Sequence, residues 1–315
     1  MKILFVMDPI ESVNPKKDST LAMIEAAQTR GHEVLYTTVS QMSLVDGVVF
    51  GEVCGLTVDR EQVPFFTKGT YSEVKLGEID VIMMRKDPPF DMNFVYATYL
   101  LSAAKRQGAL VVNDPQSLRD CNEKLFATEF AKHMTPTLVS ASSTKIRAFI
   151  EQHKDVIVKP LDGMGGSGIF RLKLGDPNTG TVLETMLAEP VSPIMAQRFI
   201  PDISAGDKRI LLIDGVPVEY VLARIPAKGE TRGNLAAGGT GVAQPLSDSD
   251  RKIAEAVGPT LKARGLIFVG LDVIGDKITE INVTSPTCIR EIEAAYPVKI
   301  AEGLIECIEQ KLKST

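Results

Sequence analysis

The chain has 315 residues, 44% of them hydrophobic and 24% charged, with 35 Lys and Arg against 40 Asp and Glu. That is enough apolar material for two or three substructures, and a net charge of -5 without long blocks of either sign argues against general nucleic-acid binding. Four scattered cysteines and three histidines show no paired metal-ligand spacing, no apolar run reaches membrane-spanning length, and a cytoplasmic chain with no disulfide framework is expected.

In chain order, Lys2 to Met7 reads as a strand running into Asp8 and Pro9, not as a secretion leader. Thr20 to Thr29 follows as a helix stopped by Gly31, and Glu33 to Val39 as the next strand, which predicts the βαβ start of a mostly parallel sheet. No GxGxxG follows the first strand, so the dinucleotide-binding version of that arrangement is disfavoured. Ile79 to Met84 is a buried strand, Phe94 to Arg106 a helix ended by Gly108, and Ala109 to Val112 a strand, giving residues 1 to 120 the pattern of one α/β unit. Beyond it the pattern predicts a helix at Cys121 to His133, an edge strand at Pro136 to Val139 and a helix at Lys145 to Gln152. Strands at Asp155 to Lys159 and Ile169 to Lys173, a helix at Thr179 to Leu187 and a strand at Ile194 to Phe199 come next. Strands at Arg209 to Ile213 and Val218 to Arg224 flank an Asp214-Gly215 turn, ahead of a long glycine-bearing loop and a helix at Asp248 to Ala263. Ile267 to Ile274 and Lys277 to Val283 pair as a hairpin about Gly275 and Asp276, and Val298 to Leu312 closes the chain as a helix.

Five segments carry chemistry. Lys159 stands at the end of a strand before Gly163, Gly165, Gly166 and Gly168; glycines bare the main-chain N–H groups to an anion, and the lysine adds a mobile positive charge. The lysine precedes the glycines, so this is not the GxxxxGK[ST] loop, and an ordinary glycine hairpin is the alternative. Glu280 and Asn282 share one strand face, which Asp272 reaches from the paired strand; two carboxylates and an amide oxygen suit magnesium, with a solvated strand face as the alternative. The stretch from Arg224 through Lys228 and Arg232 to Gly241 has little to anchor it in a core and could close over bound anions or be a plain linker. Ser285 and Arg290 follow the proposed metal strand, and Arg85 ends a strand facing the crevice of an open sheet; all three are candidates for anionic substrate groups. Cys121 and Cys307 read as packed helix residues, Cys288 lacks a histidine at motif spacing, and His32, His133 and His153 lie near helix ends with His32 at the surface.

These motifs resemble the ATP-grasp superfamily and, within it, the bacterial glutathione synthetase family. The resemblance runs through Val6 to Ile10, Met83 to Asp91, Asn113 to Lys124, Lys159 to Gly166, Arg224 to Gly239 and Glu280 to Thr287. It implies an N-terminal preATP-grasp open parallel-sheet domain at 1–120, a central lid at 121–200 and a C-terminal catalytic domain at 201–315 with a mobile loop at 226–241, α/β overall and α+β in the ATP-binding part. It also implies ATP- and magnesium-dependent ligation of γ-glutamylcysteine to glycine, with manganese as a substitute ion, in a homotetramer. By the same resemblance Lys124, Lys159, Gly163, Gly165 and Gly166 face the ATP phosphates, Gln197, Arg198 and Phe199 the adenine side, and Asp207 the ribose. Asp272, Glu280 and Asn282 match the metal set, and Arg209, Arg224, Arg232 and Gly239 the catalytic surroundings. Gln41 to Lys68 and the terminal segment match less closely and are expected to alter only surfaces. Another ATP-grasp amide ligase would share the phosphate and metal residues, and a non-catalytic ATP-binding regulator would share the fold without the turnover.

Overall fold

The computed structural model describes residues 1–188, 192–235 and 238–314. Its three sheets are set by three stretches of apolar patterning. The first contains β1 (Lys2–Val6), β2 (Glu33–Thr37), β3 (Met42–Val45), β4 (Val48–Val58), β5 (Phe66–Lys68), β6 (Ser72–Lys75), β7 (Val81–Met84) and β8 (Leu110–Val112), in the order β3-β4-β2-β1-β7-β8 with β5 and β6 on β4. Helix α1 (Ser19–Thr29) starts at Asp18, whose side chain accepts from the Leu21 N–H, and ends before Gly31 in the left-handed region. Helices α2 (Met92–Arg106), capped by Asp91, and α3 (Pro115–Asp120), capped by Asp114, complete this part.

Only β1, β2, β7 and β8 are parallel, which corrects the expectation of a mostly parallel sheet. The Asp46-Gly47 turn, both residues at positive φ, folds β3 against β4, and β4 then pairs antiparallel with β2, β5 and β6. The stretch expected to alter only surfaces therefore supplies buried core through Val49, Val53, Leu56 and Val58.

The second sheet is antiparallel, β11-β10-β12-β9, from β9 (Thr137–Ser140), β10 (Asp155–Pro160), β11 (Phe170–Lys173) and β12 (Ile194–Arg198), backed by α4 (Ser143–His153) and α5 (Thr179–Met186). Its core, which includes Ile146, Ile150, Val156, Val158 and Leu183, is separate from the rest. The third sheet runs β15-β14-β13-β16-β17, from β13 (Asp207–Ile213), β14 (Val216–Ile225), β15 (Thr240–Pro245), β16 (Phe268–Ile274) and β17 (Lys277–Asn282). Helices α6 (Asp248–Ala263), α7 (Ile289–Ala295) and α8 (Ile300–Lys313) cover it. The long loop is shorter than its composition suggested, because Thr240 to Pro245 adds an edge strand to β14.

First and third sheets share continuous apolar cores, Leu4 and Ile82 with Ile210 and Leu271 in one, Ile3 and Met83 with Leu211 and Ile305 in the other. Asn113 stitches them at one end: its amide donates to the carbonyls of Phe268 (2.8 Å) and Val283 (2.7 Å) and accepts from the Phe268 N–H (2.9 Å). His32 is not a free surface group, since its Nε2 lies 2.7 Å from Glu309 beside the Arg30–Glu309 ion pair that ties α1 to α8.

Candidate active site

Cross-strand register builds the floor of the site. Arg209 sits opposite Asp272 on β13 and β16, Asp207 opposite Arg224 on β13 and β14, and Asp272 opposite Glu280 on β16 and β17. Arg209 grips Asp272 with Nε at 2.6 Å and Nη2 at 3.1 Å, while Arg224 Nη2 lies 2.9 Å from the same carboxylate and 2.6 Å from Asp207. Burial alone would raise the Asp272 carboxyl; the two guanidiniums outweigh it and hold the group well below the usual carboxylate range. Asp207 goes the other way, pushed up to about 7 by burial that Arg224 only partly offsets, and its buried Oδ1 has no hydrogen-bond partner among the described residues.

The roof comes from the second sheet. Lys159 leaves the end of β10, is 4% exposed, and places Nζ 3.4 Å from both Glu280 Oε1 and the Thr279 carbonyl. Residues 121–133 are not the continuous helix expected: they form a turn and a 3-10 segment, Phe126–His133, broken at Phe130. The bend begins at Asn122, whose side-chain oxygen accepts from the N–H groups of Lys124 and Leu125. It carries Lys124 into the interior, where Nζ donates to the Gly163 carbonyl at 2.7 Å, pairs with Glu123, and lies 3.7 Å from Glu280. In the turn above, Gly165 and Gly166 hold φ of 62° and 84°, and a Cβ on Gly166 would lie 2.8 Å from Asn234 Oδ1. The long loop is folded onto this turn through Arg232, whose Nη1 donates to the Gly166 carbonyl at 3.3 Å. Gly233 and Gly239 allow that approach, since a Cβ on Gly233 would stand 2.4 Å from the Arg224 carbonyl oxygen and one on Gly239 2.2 Å from that of Gly233. Ala236 and Ala237 of the loop lie outside the described residues.

Two connected chambers result. The first, between second and third sheets, is lined by Lys124, Lys159, Gly163, Gly165, Gly166, Gln197, Arg198, Phe199, Asp207, Arg232 and Glu280, with an apolar end formed by Ile157, Ile169, Ile200, Ile203 and Ile274. Apolar side chains together with two buried lysines suit a nucleotide, with its base against the former and its phosphates at the latter. The second chamber shares Gly165, Asn234 and Glu280 with the first and adds Arg209, Arg224, Asp272, Asn282 and Ser285. The buried Ser285 hydroxyl there has no hydrogen-bond partner among the described residues.

Three expected residues line neither chamber: Arg85, Arg290 and Gly239. Arg85 is buried, not presented to the crevice; it donates to Thr20 Oγ1 and to the Pro286 carbonyl, both at 3.1 Å. Arg290 pairs with Glu25 at 2.8 Å and donates to the Asp18 carbonyl at 3.2 Å, and its buried Nη2 has no hydrogen-bond partner among the described residues. In the opposite direction, Glu123, Asp87 and Asn234 line the second chamber although no role was expected of them; each lies in a stretch that carries the family resemblance, which was the signal available. Glu123 is raised by burial and by the neighbouring Glu280 charge.

Among the described residues no group of three or more His, Cys, Asp and Glu is placed to hold an ion by itself. Asp272 and Glu280 nevertheless stand opposite one another, and the Asn282 amide reaches within 3.2 Å of Asp272. Two carboxylates and an amide oxygen fit a hard divalent cation that takes its remaining ligands from nucleotide phosphates.

Family models meet this geometry over most of the chain. Residues 1–119 match the model of the prokaryotic glutathione synthetase N-terminal domain, and residues 123–297 that of the prokaryotic glutathione synthetase ATP-grasp domain. The chain belongs to the prokaryotic glutathione synthetase family. Glutathione synthetases of Shewanella oneidensis and Pseudomonas aeruginosa are 56% and 57% identical to it over 312 residues, covering 99% of this chain and 99% and 98% of theirs. Two solved structures share the fold at low identity: D-cycloserine synthetase DcsG (TM-score 0.68, 15% identity, 98% of this chain and 99% of that one) and the ATP-grasp ligase PsnB with its minimal precursor, Mg and ADP (0.62, 16%, 99% and 98%). The family's activity is the activity of this chain: it joins γ-glutamylcysteine to glycine at the expense of ATP, giving glutathione, ADP and phosphate, in ATP-grasp chemistry that depends on magnesium.

Proposed function

We propose that the two chambers divide the reaction between them, with ATP in the first and the peptide carboxylate and glycine in the second. The observation carrying this is Glu280, which belongs to both chambers and has Lys159 and Lys124 at 3.4 and 3.7 Å on the nucleotide side. Lys124, Lys159 and the glycine turn hold the phosphates, Gln197 to Phe199 the adenine, and Asp207 the ribose end. Asp272, Glu280 and Asn282 would hold magnesium, or manganese in its place, which supplies charge neutralisation at the transferred phosphoryl group. Arg209 and Arg224 then face the oxygens on which charge develops, and Ser285 contacts the peptide. The peptide carboxylate oxygen attacks the γ-phosphorus and ADP leaves; the glycine nitrogen attacks the acyl carbon, loses a proton, and phosphate leaves with the former carboxylate oxygen.

In this reading residues 1–120 are the substrate-binding domain, 121–200 the lid and 201–315 the catalytic domain, and the loop at 226–241 keeps water from the acyl phosphate. The separate core of the second sheet supports the lid assignment, because that sheet can rock without unpacking the other two. A homotetrameric, cytoplasmic enzyme completes the proposal; no helix among the described residues is long and apolar enough to cross a membrane. The test is isotopic: γ-glutamylcysteine labelled with oxygen-18 in its cysteinyl carboxylate is expected to deliver one labelled oxygen to phosphate per glutathione formed. Unlabelled phosphate would exclude the acyl phosphate route.

A further inference from the structure

Four carboxylates line the second chamber, Asp87, Glu123, Asp272 and Glu280. Three are already matched to cations: Asp272 to Arg209 and Arg224, Glu123 to Lys124, and Glu280 to Lys159. Asp87 is different. Among the described residues its carboxylate has no hydrogen bond or ion pair, yet its main chain is fixed on both sides. The Asp87 N–H donates to Asp8 Oδ2 at 3.0 Å, and its carbonyl accepts from Lys86 Nζ at 2.7 Å, a lysine itself paired with Asp8 at 2.9 Å. Arg85, two residues earlier, is anchored in the interior on Thr20 and Pro286. The Asp87 charge also acts on the buried Arg85 guanidinium, with no contact between them, and a carboxylate without a contact partner on a pinned main chain needs little ordering to receive a cation.

The reaction brings two cations to this chamber besides the metal: the α-ammonium of the γ-glutamyl residue and the ammonium of glycine. Glycine must shed its charge before attack, and a carboxylate gripping it would favour the unreactive protonated form. The α-ammonium keeps its charge throughout and lies at the end of the peptide remote from the reacting carboxylate. Asp87 follows β7 of the first sheet, whereas Arg209, Asp272 and Glu280 belong to the third. A peptide with its carboxylate toward the third sheet therefore points its other end to the first.

We infer that Asp87 recognises the α-ammonium group of the peptide substrate, an assignment that rests on the peptide occupying the second chamber. It is a specificity residue and takes no part in bond making. The probe is glutarylcysteine, which differs from γ-glutamylcysteine only in lacking the α-amino group. The parent enzyme is expected to favour γ-glutamylcysteine by about tenfold or more in kcat/KM, the scale of one charge-assisted hydrogen bond. Asp87→Asn, a same-shape change at an exposed side chain, should lower kcat/KM for γ-glutamylcysteine by a similar factor through KM and collapse the preference, with the KM for ATP and glycine unmoved. A parent preference below about twofold, or a variant that discriminates as the parent does, overturns the inference. So does an effect confined to the KM for glycine, which would place the acceptor amine at Asp87. Ser285→Ala separates the two levels: if it raises the peptide KM while Asp87→Asn does not, the chamber holds the peptide and only the Asp87 assignment falls.

Discussion

Glu280→Gln keeps the shape of the side chain where the two chambers meet and removes its charge, with two opposed consequences. The hairpin loses one of its two carboxylates, so magnesium is held less well; at the same time Lys159 loses its paired anion and Lys124 keeps only Glu123, so both buried lysines attract phosphates more strongly. The lysine contacts are long, 3.4 and 3.7 Å, and the Glu280 side chain is 19% exposed. Their loss is therefore worth on the order of 1 kcal/mol together, well short of a tight buried pair. Metal-free ATP is expected to bind the variant roughly fivefold more tightly, and the melting temperature to fall by only a few degrees. Turnover at fixed magnesium should drop by roughly a hundredfold or more, since even outer-shell partners of a metal cost ten- to a hundredfold when removed. Calorimetric titration of ATP with a chelator and with excess magnesium measures the first effect, and ADP formation across a magnesium titration the second. A parent-like magnesium curve, or metal-free ATP affinity falling in step with that for magnesium-ATP, would refute the assignment.

The loop at 226–241 offers trypsin an exposed Lys228, whereas Arg232 is held by Glu230 at 2.5 Å and by the Gly166 carbonyl; cutting is expected first after Lys228. ATP, magnesium and γ-glutamylcysteine together should slow that cut by about tenfold or more, and an unchanged rate would remove the lid role. At the far side of the molecule Arg30, with His32, holds the Glu309 carboxyl at about 2 against an ordinary 4.5. A folded value below the unfolded one means the stabilisation is present above pH 4.5 and is lost as pH falls toward 2. Screening at this partly exposed site limits it to about 1 kcal/mol, so Glu309→Gln should lower the urea midpoint at pH 7 and flatten its decline below pH 4.5; parallel profiles would count against the link between α1 and α8.

What could be read from the sequence was whatever depends on neighbours in sequence. Period-two alternation put Glu280 and Asn282 on one face, and the Gly275-Asp276 turn brought Asp272 opposite Glu280. Capping side chains marked some helix starts, as Asp18 and Ser247 do, but α3, capped by Asp114, was not anticipated. The strands around Val48 to Val58 were missed because one long strand pairs with four others, a fact of tertiary pairing that its own alternation does not encode. Residues 121–133 carry a helical hydrophobic pattern, but Asn122 caps the main chain into a turn there, and the burial of Lys124 it achieves has no local signal.

Ion pairing was the least legible feature, and it governs how the site works. Arg209 and Asp272 are 63 positions apart and meet only through sheet register. Without the two arginines, Asp272 would be a buried charge costing several kcal/mol, so a cleft rich in carboxylates is stable because each of them except the exposed Asp87 has a cation beside it. Glu280 has lysines in the same role. In the proposed reading, binding of magnesium-ATP would be an exchange of partners more than a filling of free charges: the phosphates would take over the lysines, and the carboxylates would turn to the ion. Arg209 and Arg224, now paired with Asp272 and Asp207, would then be released toward the reacting oxygens. Asp87, without an ion pair among the described residues, would stand outside that exchange, as the inferred role in binding the α-ammonium group requires.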